Sequence, residues 1–154
     1  MAVTAAPPSA AAAVAVASNV AKNVATNVHR SFLAFDFGTL RVGVAHGNTV
    51  TRTAQPLGTI AATGAQRFER IQKFISEWQP DALVIGVPFH PDGVAHENTE
   101  RARRFGRQLH GRFGLAVIEV DERYTTTEAH SMNAADLDAT SAAIILEQHL
   151  RALP

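Results

Sequence analysis

The sequence predicts an α/β fold: a mixed five-stranded sheet with flanking helices, in the order β-β-β-α-β-α-β-α. Two observations lead there. Apolar segments over residues 32–37, 41–46 and part of 50–57 follow one another through short connections, and strands joined in that way pair antiparallel. Beyond them, the apolar runs Ala82–Val87 and Leu115–Val120 alternate with stretches of helical periodicity, the pattern of helix-connected parallel strands.

Composition bounds the reading. At 154 residues, less a biased tail, the chain is one domain with room for a proper core. A hydrophobic fraction of 46% with 18% charged residues suits a globular protein. The absence of Cys excludes disulfides, thiolate metal sites and cysteine nucleophiles. Net charge is zero, so any affinity for nucleic acid must come from how charge is distributed. Residues 1–30 hold no acid, only Lys22 and Arg30 as bases, and mostly small side chains. Their apolar run, Ala10–Ser18, is too short to span a bilayer and has no preceding basic residue. A disordered extension over 1–30 and a folded domain over 31–154 are expected, with no membrane segment.

The first strand is a buried run, Phe32–Phe35, interrupted by Asp36 and turning at Gly38. Gly47-Asn48 signals the next turn, and Pro56 confines the third strand to a sheet edge or exit. Over Ala65–Gln79, the spacing of Phe68, Ile71, Phe74, Ile75 and Trp78 marks one helical face, stopped by Pro80. After the strand 82–87, residues 89–97 form a loop around Asp92-Gly93. Asn98 or Thr99 then caps a helix with Ala102, Phe105, Leu109 and Phe113 inward, ending at Gly114. Thr125–Glu128 is a capping-box pattern opening a third helix, and a last helix starts near Asp138.

Acids mark the functional edge. Asp36 ends the first strand, Asp121-Glu122 ends the fifth, and Asp138 begins the last helix. Strand ends and helix starts along one sheet edge can converge on a crevice. Carboxylates gathered there repel unless cations hold them, and hard oxygen donors select Mg²⁺ or Mn²⁺. Two such ions can drive phosphodiester hydrolysis. Each acid also has an ordinary structural role open to it: Asp36 as a turn cap, Asp138 as a helix cap, and Asp121-Glu122 as a solvated loop paired with Arg123. Arg101, Arg103, Arg104, Arg107 and Arg112 add a basic helix, which is either a phosphate-binding face or a solvated one.

The order of elements is that of the ribonuclease H-like fold, and the motifs carry a closer resemblance. Phe35-Asp-Phe-Gly-Thr39 with Val42-Gly-Val-Ala45 resembles the opening motif of the YqgF, or RuvX, family of Holliday-junction-resolvase-like proteins. Ile85-Gly-Val-Pro88 with Asp92-Gly93, Asp121–Ala129 and Asp138–Leu146 are similar to its later motifs, in order. The resemblance implies a cytoplasmic, metal-dependent nuclease acting in 5′-end maturation of pre-16S ribosomal RNA. It carries over Asp36, Glu122 and Asp138 as catalytic, metal-binding acids, with Asp121 as a neighbour of unassigned role. Related resolvases place an acid at the end of the fourth strand, where this chain has Val87-Pro88; Glu122 is expected to substitute. Arg41, Arg103, Arg107 and Arg123 are the candidate substrate contacts. Two departures stand out: His90-Pro91 where the family usually has Asn before Asp-Gly, and a short stretch between Glu128 and Asp138. The expected partners are a ribosomal precursor, structured RNA or branched DNA, bound by a monomer or weak homodimer. Two other readings remain open from the residues: a non-catalytic nucleic-acid-binding module of the same fold, and an actin-like ATP-binding protein, for which 154 residues supply one lobe of the two required.

Overall fold

In the structure, a computed structural model describing residues 30–122 and 134–154, the chain runs β1 (Ser31–Phe37), β2 (Val42–Asn48), β3 (Ala54–Ile60), α1 (Gly64–Trp78), β4 (Ala82–Val87), α2 (Thr99–Phe113), β5 (Ala116–Asp121) and α3 (Ala134–Ala152). The expected extension up to residue 29, the helix opening at Thr125 and Arg123 lie outside the described residues. Among the described residues no helix is long and apolar enough to cross a membrane.

The sheet has the order β3-β2-β1-β4-β5. β1 pairs antiparallel with β2, which pairs antiparallel with β3; β1–β4 and β4–β5 are parallel. This is the ribonuclease H-like arrangement the element order predicts. β1 lies in the middle, so its run Phe32–Phe35 is inaccessible to solvent on both faces.

Alternation along the strands divides the core. Leu33, Phe35, Val42, Val44, Leu83 and Ile85 point to the face covered by α1 and α2, where they meet Phe68, Ile71, Phe105 and Leu109. Phe32, Ala34, Ala82 and Val84 point to the opposite face, covered by Ile145, Leu146 and Leu150 of α3. Phe105 is the hub of the first layer, meeting Phe35 edge-on at 6.1 Å between ring centroids. Fully burying an aromatic or aliphatic side chain of this size stabilises by about 1.5–3 kcal/mol.

The caps follow the sequence in position more than in chemistry. α1 stops at Gln79, whose left-handed backbone (φ 45°) lets its N–H reach the Ile75 carbonyl. α2 stops at Gly114 (φ 70°), as its glycine predicts. Asn98 precedes α2 but makes no side-chain cap; its Oδ1 accepts from Arg101, while the Thr99 hydroxyl donates to the Pro88 carbonyl.

Three boundaries differ from expectation. Gly47-Asn48 is not the turn but the end of β2; Asn48 Oδ1 instead accepts from the Val50 and Thr51 amides, fixing the turn just beyond. β3 begins at Ala54, within the expected 50–57, but runs past it to Ile60, so that Pro56 lies inside it at a register shift opposite β2. An edge strand tolerates this because one side of its ladder needs no donor. Finally, α3 begins at Ala134, so Asp138 sits within the helix and does not cap it.

Candidate active site

The candidate site is built around a row of the sheet in which side chains are missing. Asp36 lies on the α3 side of β1, following Phe32 and Ala34 by alternation. Its antiparallel partner on β2 is Gly43. On β4, Phe35 pairs with Ile85, and Gly86 is one residue beyond. Both glycines are filled from above by other groups. A Cβ on Gly43 would lie 1.9 Å from the Asp138 carbonyl oxygen of α3. A Cβ on Gly86 would lie 2.4 Å from the Glu122 carboxyl carbon and 2.6 Å from Ile145 Cδ1. The bare positions thus let the α3 backbone close in on one side of Asp36 and the Glu122 side chain on the other. No role for Gly43 or Gly86 follows from their spacing alone, although both stand inside the motifs Val42–Ala45 and Ile85–Pro88. The available signal is glycine in the interior of a strand, which often marks a close approach.

Of the neighbouring pair at the end of β5, Glu122 lies over Gly86 on the α3 side of the sheet. Asp121 is exposed, and its carbonyl accepts from Gln148 of α3. Alternation explains the difference: Val120 belongs to the α3-side core, so Asp121 faces away. Asp121 still bears on Glu122 through its charge.

Electrostatics tie the acids together. Burial, and then the Asp138 charge, push the Asp36 carboxyl up from 3.8 to about 7. Burial, then Asp36 and then Asp121, push Glu122 up from 4.5 to about 8. Among the described residues neither forms an ion pair. Asp138 differs: Arg41 Nε donates to its Oδ2 at 2.8 Å. As the side chains stand, no three His, Asp or Glu groups among the described residues are gathered to hold one ion. The donor set nevertheless fits a hard divalent cation. It consists of carboxylate oxygens, and two of them carry a penalty of burial and like charge that a cation would relieve.

The arginines divide. Arg41, on the turn between β1 and β2, is at the acids. Arg103 and Arg107 lie along α2, and both already have acidic partners. Arg103 bonds to Glu119 at 3.3 Å and lies over the Phe89 ring, while Arg107 pairs with Glu100. Residues 101–112 contain no acid, but Glu100 sits just before them in the first turn of α2 and Glu119 arrives from β5 across the fold. Arg112 stacks on Phe68, 4.0 Å from the ring centroid. His90 is exposed in the loop after β4, its ring 5.0 Å from that of His96.

Comparison with known proteins places the chain in a family. Residues 30–152 match the RuvX family, described as Holliday junction resolvase. A Polaromonas protein named "Putative pre-16S rRNA nuclease" is 66% identical over 125 residues, covering 81% of this chain and 91% of its own. One of the same name from Albidiferax ferrireducens is 66% identical over 124 residues, 80% of each chain. Among solved structures, Thermus thermophilus RuvC bound to a Holliday junction substrate is 15% identical with a TM-score of 0.49, covering 80% of this chain and 94% of that one. With a family match across the described fold and curated relatives at two-thirds identity over most of their length, the chain belongs to the RuvX family.

Proposed function

We propose that this protein is a metal-dependent nuclease that hydrolyses phosphodiester bonds in 5′-end maturation of pre-16S ribosomal RNA in the cytoplasm. The observation that carries the reading is the electrostatic coupling of Asp36 to both Glu122 and Asp138 over the glycine-lined notch. The relatives' shared name supports the substrate. Asp36, Glu122 and Asp138 would hold Mg²⁺ or Mn²⁺, as one ion or a pair. When bound, such ions supply activation of water and neutralisation of charge on the leaving oxygen.

The chain's own residues do the rest. Asp36 is fixed by the central strand, so its carboxylate needs little reorganisation. Gly43 and Gly86 keep that carboxylate open to Glu122 and α3. Arg41 meets the substrate backbone at the acids, with Arg123 as a further candidate contact. Arg103 and Arg107, on the helix over the opposite face, join only where phosphate displaces Glu119 and Glu100, and none of these contacts reads sequence. The partner is structured RNA of the ribosomal precursor, or branched DNA, bound by a monomer or weak homodimer.

The test uses purified protein and an RNA spanning the 5′ leader of pre-16S, with and without Mn²⁺. Cleavage should require the ion and vanish in Asp36→Asn with the fold retained; full activity in that variant overturns the metal-centred reading. Sequencing 16S 5′ ends after depletion then decides whether this RNA is the target. A protein that binds the RNA but never cuts it would be the non-catalytic module instead.

A further inference from the structure

Resting on that reading, we infer that Arg41 is an exchangeable partner of Asp138: it occupies this acid when no substrate is present and releases it when a nucleic-acid phosphate takes its place. The observation is an asymmetry among the acids. Asp36, on β1, and Glu122, over Gly86, form no ion pair among the described residues, whereas Asp138 is paired at 2.8 Å. The one acid already neutralised is the third donor an ion would need.

The pair is built to open. The Arg41 side chain is 48% exposed and that of Asp138 22%, so the contact is reached by solvent and by ligand. An exposed ion pair is weak, and its partner can be replaced. A guanidinium has five N–H donors, and only Nε is used on Asp138. A phosphodiester offers two oxygens to the same planar fork, a better match than one carboxylate oxygen.

The backbone beneath Arg41, by contrast, is held. Arg67, 6% exposed on α1, donates to the Thr39 carbonyl at 3.1 Å and to the Ala62 carbonyl at 2.8 Å. A Cβ on Gly38 would lie 2.5 Å from the Arg41 carbonyl, so the turn is closed tightly on itself. Exchange is therefore a side-chain motion over a pinned turn. Released from Arg41, Asp138 adds its charge to the other two carboxylates. Phosphate binding and divalent-ion binding then strengthen each other, by linkage to the same degree in either direction.

The test titrates Mn²⁺ alone, followed by the electron paramagnetic resonance of free ion, into wild type, Arg41→Gln, Asp138→Asn and the double variant. Arg41→Gln should bind Mn²⁺ roughly twofold to fivefold more tightly, as expected from freeing an exposed acid. That gain should disappear in the Asp138→Asn background, because it acts through Asp138. A gain of equal size in both backgrounds is simple loss of repulsion and overturns the exchange, as does unchanged or weaker binding in Arg41→Gln. Asp36→Asn separates the two levels. If it binds Mn²⁺ as well as wild type, the metal site itself is wrong and the exchange falls with it. If it loses the ion while Arg41→Gln changes nothing, only the exchange is refuted.

Discussion

The two faces of the sheet are packed by opposite means. Under α1 and α2, large side chains interlock: Phe35, Phe37 and Phe68 all meet Phe105. Under α3, the sheet contributes bare backbone. Gly43, Gly47 and Gly86 leave space that α3 or Glu122 fills, and Ala45 meets Ala142 and Ala143. A thick layer of rings keeps helices at a distance and makes a core. A thin layer lets a helix backbone come down onto the strands and brings carboxylates from separate elements together. The candidate site lies on the thin face for that reason.

The sharpest way to break the comparison is to add one methyl group to each face. Gly43→Ala sets a Cβ 1.9 Å from α3 backbone, which cannot yield as a side-chain end can. It should destabilise by about 3 kcal/mol or more and abolish nuclease activity. Gly106→Ala on the thick face meets side-chain ends, Ile85 Cδ1 at 2.6 Å and Val117 Cγ1 at 3.4 Å, and α2 gains helix propensity. It should cost no more than about 1 kcal/mol and leave activity intact. Denaturant unfolding with an activity assay checks both; equal losses would mean that the faces do not differ as described.

A middle-sized effect comes from pH. The folded values of Asp36 and Glu122, about 7 and about 8, lie above their ordinary 3.8 and 4.5. The native state therefore holds more protons than the unfolded chain between about pH 4 and pH 8, and this contribution to stability falls as pH rises through that window. Below it, both states are protonated and the penalty is absent; above it, the penalty is complete. Asp36→Asn should thus stabilise by roughly 1–3 kcal/mol at about pH 8.5 and by little at about pH 4. Mn²⁺ should flatten the wild-type slope. A pH-independent difference between wild type and variant would remove the burial argument for this face.

The smallest effect sharpens the contrast. Gly111 lies on the exposed side of α2, with open space for 4 Å around the point an added methyl would take and no left-handed backbone. Gly111→Ala should stabilise by up to about 1 kcal/mol, most simply seen as a small rise in thermal midpoint. A loss there would show that glycine on this face also serves close packing.

Much of the fold is legible in the sequence because local physics dictates it. The run Phe32–Phe35 suits a central strand, and the Phe68–Trp78 spacing a helix face. Gly114 ends α2 because a left-handed cap favours glycine. Boundaries set by side-chain hydrogen bonds are not legible: Asn48 can form the turn or cap it from the strand end, and only the structure distinguishes these. The start of α3 escapes the sequence because an Asp such as Asp138 is a good helix cap, and a cap there would put the start at Asp138 and not at Ala134.

For the site, the sequence by itself determined which groups were available: Asp36 breaking an apolar strand, acids closing the fifth, and Asp138 in the last helix. Its motifs determined the family. Only the tertiary structure decided how those groups meet. Glu122 and not Asp121 lies over Gly86, because strand alternation sets the face; Arg103 and Arg107 find acids, because β5 and the first turn of α2 bring them. Arg41 and Asp138 are 97 residues apart in the chain, and no local rule couples them. Their pairing exists because Gly43 on β2 leaves room for the α3 backbone to descend at Asp138, a fact about packing distance that spacing along a sequence does not contain.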